Sequence, residues 1–141
     1  MKTISYPYNE YKKDLNSLVK QIQKSKVKYD YVLGVERGGL IPAVHLSHRL
    51  GIPLQTLTWS SIYKDSSMVT WFVLRNKKLL LVDDIVDSGK TFFEIFQKYW
   101  NMDTAVLIYN NINESKIKPS YYGRQINRLD TPEWFDFWWE K

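Results

Sequence analysis

Three carboxylates and a group of residues suited to anion binding lie in one short stretch, LLLVDDIVDSGKT, residues 79–91. An apolar run precedes the adjacent Asp83 and Asp84, and Asp87 stands immediately before Ser-Gly-Lys-Thr. If the apolar run is a buried strand, the acids belong to the loop at its carboxyl end and Thr91 opens the next helix. Free backbone N–H groups and the helix dipole at that point favour an anion. The stretch therefore predicts a phosphate site beside carboxylates.

The ending Gly89-Lys90-Thr91 also occurs in nucleotide-binding P-loops, but the rest of that motif is missing. A P-loop needs a glycine five residues before Gly89, where this chain has Asp84. Carboxylates would also repel a triphosphate. Beside a single phosphate they suit a sugar diol, a divalent cation or a transferred proton. An acidic pair alone more often marks a turn, so this interpretation depends on the whole stretch.

Composition favours a single domain and leaves the class of partner open. The 141 residues have 44% hydrophobic content, enough for one core, and the formal charge of +5 suits either nucleic acid or a small anionic substrate. The chain has no cysteine, which excludes disulfides and thiolate metal sites. It shows neither a signal-peptide pattern nor about 18 consecutive apolar residues, so we expect a cytoplasmic protein with no membrane partner.

Strands and helices must alternate if they are to position these residues at one edge of a sheet. Hydrophobic spacing and turn residues predict helices at about 9–24, 40–50 and 91–100, strands at 29–35, 52–59, 68–74, 79–82 and 104–109, an exposed loop at 60–67 and a turn at 75–78. This alternation predicts an open α/β sheet, whose ligands bind beyond the carboxyl ends of the strands.

Residues 79–91 resemble the phosphoribosyl-pyrophosphate signature of type I phosphoribosyltransferases: four apolar residues, two acids, two apolar residues, then Asp-Ser/Thr-Gly-x-Thr. GVERGGLIPA, residues 34–43, resembles the pyrophosphate loop of the same family. The resemblance implies the type I phosphoribosyltransferase α/β fold, a central and mostly parallel sheet flanked by helices. It also implies a single domain over 1–141, with a core at about 28–112 and a small hood over the base site, built from about 113–141 with the N-terminal segment.

The resemblance implies a role for each residue of the two loops. Asp83 and Asp84 would hold the ribose hydroxyls, Asp84 would also lie beside Mg²⁺, and Asp87 would be the catalytic proton acceptor facing the base. The other residues implied in binding phosphoribosyl pyrophosphate are Ser88, Gly89, Lys90 and Thr91 around the 5-phosphate, and Arg37, Gly38 and Gly39 at the pyrophosphate. Family members often have a cis peptide in the first loop, so we expect one at Glu36-Arg37.

The C-terminal tail TPEWFDFWWEK resembles the Trp-Ile-x-Phe-Pro-Trp-Glu ending of small xanthine-guanine and hypoxanthine phosphoribosyltransferases. By this resemblance Trp134 stacks on the purine and the backbone of Phe135 reads the edge of the base. Trp138 and Trp139 are interpreted instead as core or interface residues, because aromatic side chains dominate both settings. Trp138 stands where relatives have proline.

The resemblance is weaker at two other parts of the base site. Relatives end the strand corresponding to AVLIYNN in a lysine that donates to the purine 6-oxygen, whereas this chain has Asn110 or Asn111 there. Asn111 is assigned to the base, and its amide can donate to a 6-oxo group or accept from a 6-amino group. In the loop 60–67, Ser61 and Tyr63 resemble the Ser-Tyr of the family's flexible lid.

Together these features predict an enzyme of purine salvage. It would combine phosphoribosyl pyrophosphate with guanine, xanthine or hypoxanthine, use Mg²⁺, and assemble as a homodimer or homotetramer. A non-catalytic regulator that keeps the fold and binds nucleic acid is the alternative, but Arg37, Asp83, Asp84 and Asp87 are all present, which favours the enzyme and speaks against nucleic acid as a partner. A pyrimidine as the accepted base is disfavoured by Trp134 and the tail.

Overall fold

The computed structural model describes residues 2–60, 64–65 and 68–141, in which strands alternate with helices. In chain order the elements are β1 (Thr3–Tyr6), α1 (Tyr8–Ser25), β2 (Tyr31–Glu36), α2 (Leu40–Leu50), β3 (Leu54–Ser60), β4 (Lys64–Asp65), α3 (Met68–Leu74), β5 (Leu79–Val86), α4 (Lys90–Lys98), β6 (Asp103–Asn110), β7 (Tyr121–Ile126), β8 (Trp134–Phe137) and a 3₁₀ helix (Trp138–Glu140). Within the part of the chain that is described, no helix is both long and apolar enough to cross a bilayer.

The predicted α/β architecture is confirmed. The main sheet has the order β4-β3-β2-β5-β6-β7, and its neighbouring strands are parallel except for the antiparallel pair β3 and β4. Successive residues of β2 contribute to two different hydrophobic clusters, because side chains alternate between the two faces of a strand. One cluster contains buried residues of α1 and α2, and the other contains those of α3 and α4. Helices therefore cover both faces of the sheet.

The N- and C-terminal segments meet in a separate small sheet. Strand β1 pairs in parallel with β8, with Ile4 opposite Phe135 and Tyr6 opposite Phe137. Tyr6, Phe135 and Phe137 are buried and join the cluster beneath α1. Strand β7 lies in the segment 113–141 that the sequence assigned to the hood, yet it forms the last strand of the main sheet. The tail is thus anchored by pairing with the start of the chain.

The strand predicted at 68–74 is wrong: these residues form helix α3. Their β-branched and aromatic residues favour a strand by propensity. In the structure Trp71 and Leu74, three residues apart, are buried on one side of the helix, while Phe72 and Val73 are exposed. Trp71 stacks on Tyr99, with ring centroids 3.8 Å apart. Packing of one helical face on the sheet therefore outweighs strand propensity.

Strand β5 is longer than predicted, and it separates from β2 before it separates from β6. It pairs with β2 only as far as Val82, opposite Gly34, but stays paired with β6 as far as Val86. Asp83 and Asp84 therefore lie within the strand and not in the loop predicted for them, because β6 continues to hold this end of β5. The chain leaves β2 towards β3 and leaves β5 towards β6, so the order reverses between them. A crevice at such a switch point is the usual ligand site of an open α/β sheet.

Candidate active site

A cavity of about 650 Å³ lies at the carboxyl ends of β2 and β5. Residues from both strand ends and from the C-terminal helix line it: Val35, Glu36, Arg37, Gly38, Trp59, Asp83, Asp84, Thr91, Trp139 and Glu140. The structure therefore brings Arg37 and Gly38 of the first predicted loop together with the aspartates of the second. No sequence motif had marked Trp59, Trp139 or Glu140 as site residues, although Glu140 occupies the glutamate position of the tail pattern.

The loop after β2 passes so close to β5 that positions 38 and 39 accommodate only glycine. The Glu36-Arg37 peptide is cis, as expected. A Cβ atom on Gly38 would lie 2.3 Å from Oδ2 of Asp84, and one on Gly39 would lie 2.4 Å from the Val82 carbonyl oxygen. Both separations are shorter than carbon and oxygen atoms allow. The backbone of this loop thus lies directly beside the Asp84 carboxylate, with the exposed Arg37 at its start.

The paired aspartates carry more negative charge than their surroundings favour. Burial raises the pKa of Asp83 well above its usual range, and the charge of Asp84 raises it further. Burial also raises the pKa of Asp84, with Glu140 adding to the rise, although the Ile85 N–H opposes it by donating to Oδ1 at 2.7 Å. Both carboxylates would therefore be stabilised by a cation or by donor groups of a ligand.

The chemistry of these donors fits a hard divalent cation such as Mg²⁺. Asp83, Asp84 and Glu140 line the cavity, and such ions bind the oxygen ligands that carboxylates offer. Across the described ranges, no cluster of three or more His, Asp or Glu side chains forms a complete metal site. Magnesium usually binds proteins through one or two carboxylates, with water and substrate oxygens filling its other positions. Asp84 is suited to be one of these ligands.

A second cavity, of about 220 Å³, adjoins the first and is formed by residues 83–92. Gly89 caps helix α4 with φ of +80°, a conformation that favours glycine. A Cβ at this position would also lie 2.9 Å from Oδ1 of Asn113. Ser88 Oγ accepts a hydrogen bond from the Lys90 N–H at 3.2 Å, and Thr91 lines both cavities. The start of α4 therefore faces a small pocket of the kind predicted for a phosphate.

Asp87 lines this second cavity and is held by an ion pair that the sequence did not reveal. Arg128 Nε donates to Oδ1 and Nη2 donates to Oδ2, both at 2.9 Å. Asn110 Nδ2 contacts the Asp87 carbonyl at 3.2 Å and Oδ1 at 3.4 Å. Arg128 follows β7 in a segment without a recognisable motif, so only its charge distinguished it. The predicted proton acceptor is thus already paired with a cation.

The two asparagines that end AVLIYNN differ in their surroundings. Asn110 is buried beside Asp87, and its Oδ1 accepts hydrogen bonds from the Ile112 and Arg128 N–H groups, each at 3.3 Å. Asn111, the residue assigned to the base, is exposed just beyond β6, and its backbone N–H donates to the Ile126 carbonyl. The residue in contact with Asp87 is therefore Asn110.

The aromatic residues of the tail divide between the surface and the core. Trp134 is 59% exposed, whereas Phe135 is buried against Tyr6. Trp138 and Trp139 pack against the cluster beneath α1, as their interpretation as core residues predicted. Trp139 also borders the larger cavity. Ser61 and Tyr63, the predicted lid residues, lie outside the described residues.

The chain matches a known protein family and is similar to solved structures over nearly its whole length. The Phosphoribosyl transferase domain family matches residues 7–136 of the chain. The chain is similar in structure to a purine phosphoribosyltransferase from Pyrococcus horikoshii Ot3, with 27% identity, a TM-score of 0.75, and coverage of 100% of this chain and 96% of the other.

Two bacterial structures resemble the chain to a similar degree. The xanthine-guanine-hypoxanthine phosphoribosyltransferase of Helicobacter pylori has 25% identity and a TM-score of 0.78, with 98% of this chain and 93% of the other covered. A hypothetical protein from Neisseria gonorrhoeae with bound ppGpp has 25% identity and a TM-score of 0.77, with 100% and 91% covered. All three similarities extend over nearly the whole length of both chains.

Proposed function

Since the chain belongs to the phosphoribosyltransferase family, we propose that it transfers the 5-phosphoribosyl group of phosphoribosyl pyrophosphate to a purine base. Guanine, xanthine and hypoxanthine are the proposed bases, and the products are a nucleoside monophosphate and pyrophosphate. One observation carries the proposal: two glycine-containing loops flank a pair of partly buried aspartates at the point where the sheet order reverses. Such a site suits a sugar that carries a phosphate group at each end, with one loop for each group and the aspartates beside the sugar.

The proposed donor site uses the two cavities together. The 5-phosphate would lie in the smaller one, where Ser88, Gly89, Lys90 and Thr91 surround the start of α4. The pyrophosphate would lie against the loop of Arg37, Gly38 and Gly39. Asp83 and Asp84 lie between these two ends and would accept hydrogen bonds from the ribose hydroxyls.

The carboxylates of this site also support a role for Mg²⁺. Asp84 is the proposed protein ligand, with oxygen atoms of the substrate and water completing the coordination. When bound, the ion supplies positive charge that stabilises the departing pyrophosphate. Arg37 would contribute charge of the same sign from the protein.

The proposed reaction exchanges one bond at the anomeric carbon for another. A ring nitrogen of the purine forms a bond to C1 of the ribose, and the bond from C1 to the pyrophosphate oxygen breaks, with its electron pair leaving on the pyrophosphate. The base gives up one ring proton, and Asp87 is the proposed acceptor of that proton. Positive charge develops on the sugar as the leaving group departs, and the carboxylates of Asp83 and Asp84 favour that charge.

The choice of a purine is supported by the tail and by the names of similar proteins. Trp134 offers a largely exposed ring for stacking, and the backbone of Phe135 is proposed to contact the edge of the base. Two of the similar structures are named purine or xanthine-guanine-hypoxanthine phosphoribosyltransferases. Purine salvage in the cytoplasm, by a homodimer or homotetramer, completes the proposal.

The direct experiment supplies phosphoribosyl pyrophosphate, Mg²⁺ and one base at a time, and measures released pyrophosphate. The panel is hypoxanthine, guanine, xanthine, adenine, uracil and orotate. Release with the first three and little with the pyrimidines is expected. Silence on all six bases, together with salt-sensitive binding of RNA or DNA, would replace the enzyme with the nucleic-acid-binding regulator.

A further inference from the structure

Arg128 joins the two parts of the proposed base site that lie on separate segments. Its guanidinium binds both oxygens of Asp87 on the loop after β5. Its Nη1 donates to the carbonyls of Thr131 at 3.1 Å and Glu133 at 2.6 Å, and the latter immediately precedes Trp134. The same guanidinium lies 5.5 Å from the ring centroid of Phe135. Arg128 therefore sets the position of the tail relative to Asp87.

The neighbouring Asn110 has no hydrogen-bonding capacity left for a base. Its amide nitrogen is directed at the backbone carbonyl and the side-chain Oδ1 of Asp87. Its amide oxygen accepts two backbone N–H groups. Burial fixes the side chain in this arrangement. Asn110 thus supports Asp87 and Arg128, and the positive charge nearest to Asp87 belongs to Arg128.

Arg128 keeps one donor available. A guanidinium has five N–H groups, and four of them have the partners described above. In the described part of the chain, the second N–H of Nη2 has no hydrogen-bond partner. The Arg128 side chain retains 18% exposure and the Asp87 side chain 36%, so a ligand can reach both. A carboxylate acceptor and a charged donor therefore stand side by side.

We propose that Arg128 determines which base is accepted, one with an oxygen or one with an amino group on C6 of the purine. This inference rests on the proposed function, since it concerns the same base site. Asp87 accepts a hydrogen bond from the N–H of the purine's five-membered ring, and the adjacent Nη2 of Arg128 donates to the oxygen on C6, at the same edge of the base. A guanidinium has no acceptor, so an amino group at that carbon meets donor against donor. The pair therefore selects a 6-oxopurine over a 6-aminopurine.

Arg128→Gln tests this role, because glutamine is polar and uncharged and its amide can also accept a hydrogen bond. The first readout is the ratio of kcat/KM for hypoxanthine to that for adenine. We expect the variant to lower this ratio by about 10- to 100-fold, the usual effect of losing a charged hydrogen bond. Arg128→Lys, which keeps the charge, should restore part of the ratio. A purely structural role would lower both values together.

Product binding separates this inference from the proposed reaction. Titration calorimetry of the full chain with inosine and adenosine 5-monophosphates measures the same discrimination without turnover. Preference for the oxo nucleotide that Arg128→Gln abolishes supports the inference, even if the wild-type protein releases no pyrophosphate and the proposed function fails. An unchanged ratio in an active Arg128→Gln enzyme overturns the inference and leaves the proposed function standing.

Two further variants complete the experiment. Arg49→Gln removes an exposed arginine that contacts Asn16, away from the cavities, and should leave both ratios unchanged. Asn111→Ala tests the residue assigned to the base from the sequence. A loss of discrimination in Asn111→Ala that is absent in Arg128→Gln would overturn the role of Arg128 and return it to Asn111.

Discussion

The charged carboxylates of Asp83 and Asp84 are unfavourable in the protein without a ligand. Burial and mutual repulsion raise the pKa of Asp83, and burial raises that of Asp84, so the charged forms are destabilised where they stand. Neutral side chains of the same size would be more favourable at these two positions in the protein alone. A ligand that brings hydroxyl donors and a cation would stabilise both carboxylates, which explains why two acids are adjacent here.

Replacement of Asp87 by alanine tests the proposed proton acceptor. The variant should lower kcat by about 10²–10⁴-fold, the usual contribution of a general base, with a much smaller change in KM for phosphoribosyl pyrophosphate. Steady-state pyrophosphate release measures both constants. Unchanged kcat would remove Asp87 from the mechanism.

The Asp87→Ala experiment needs a control for folding, because the change also leaves Arg128 without its carboxylate partner. Asp130→Asn alters an exposed acid nearby and should leave kcat within about twofold. Urea unfolding of both variants shows whether any loss of activity follows from loss of structure.

Replacement of Trp134 by leucine tests the stacking platform. A base stacked on an aromatic ring gains about 1–3 kcal/mol, so KM for the base should rise roughly 5- to 150-fold while KM for phosphoribosyl pyrophosphate stays nearly constant. Trp134→Phe retains a ring and should recover most of the affinity. If leucine and phenylalanine give the same KM as tryptophan, the exposed ring does not bind the base.

Residues within the two loops could be predicted from sequence, while their partners from elsewhere could not. Asp83, Asp84 and the glycines occur in short patterns whose spacing reflects their chemistry. Arg128 is 41 residues from Asp87 and belongs to no pattern, so the ion pair emerges only from the fold. Glu140 likewise reaches the cavity only because the tail folds back over it.

Among the elements, β5 decides the geometry of the site. It stays paired with β6 as far as Val86 after it has separated from β2 at Val82. The sequence predicted the buried strand from its apolar run but ended it at the first aspartate, because charge is usually a sign of a loop. Pairing with a neighbouring strand, which is not visible in a local window, keeps Asp83 and Asp84 in the sheet. The helix at 68–74 was missed for the same kind of reason.

Helix α1 is held against the sheet by a close contact at Gly123 of β7. A Cβ there would lie 2.6 Å from Cβ of Asp14 and 2.8 Å from the Leu107 carbonyl oxygen. Gly123→Ala should therefore lower the free energy of unfolding by about 1–3 kcal/mol, as overpacking usually does. Urea denaturation followed by circular dichroism measures the change.

The matched control for Gly123→Ala is Gly51→Asn at the end of α2. Gly51 has φ of +67° with open space around its Cβ direction, and asparagine tolerates this conformation. This variant should change stability by less than about 1 kcal/mol. Equal stability of Gly123→Ala and the wild-type protein would show that α1 does not pack as closely as described.

At the scale of the whole molecule, the two ends of the chain are joined above the main sheet. Pairing of β1 with β8 and burial of Tyr6, Phe135 and Phe137 anchor the tail, which then carries Trp139 and Glu140 to the cavity. The main sheet supplies the proposed donor site, and the tail with the loop after β7 supplies the proposed base site. The α/β class could be predicted because most elements of the main sheet have a local pattern, although α3 was predicted as a strand and β7 was not predicted. The joining of the two distant terminal segments has no local pattern.

The central claim is that the cavity between β2 and β5 transfers a phosphoribosyl group to a purine. The most direct measurement incubates the wild-type protein and Asp84→Asn with phosphoribosyl pyrophosphate, Mg²⁺ and hypoxanthine, and quantifies inosine 5-monophosphate and pyrophosphate together. The wild-type protein should form both in equal amounts, and Asp84→Asn should form at least about tenfold less of each. Absence of nucleotide from the folded wild-type protein with hypoxanthine, guanine and xanthine alike, or equal yields from wild type and Asp84→Asn, would contradict the claim.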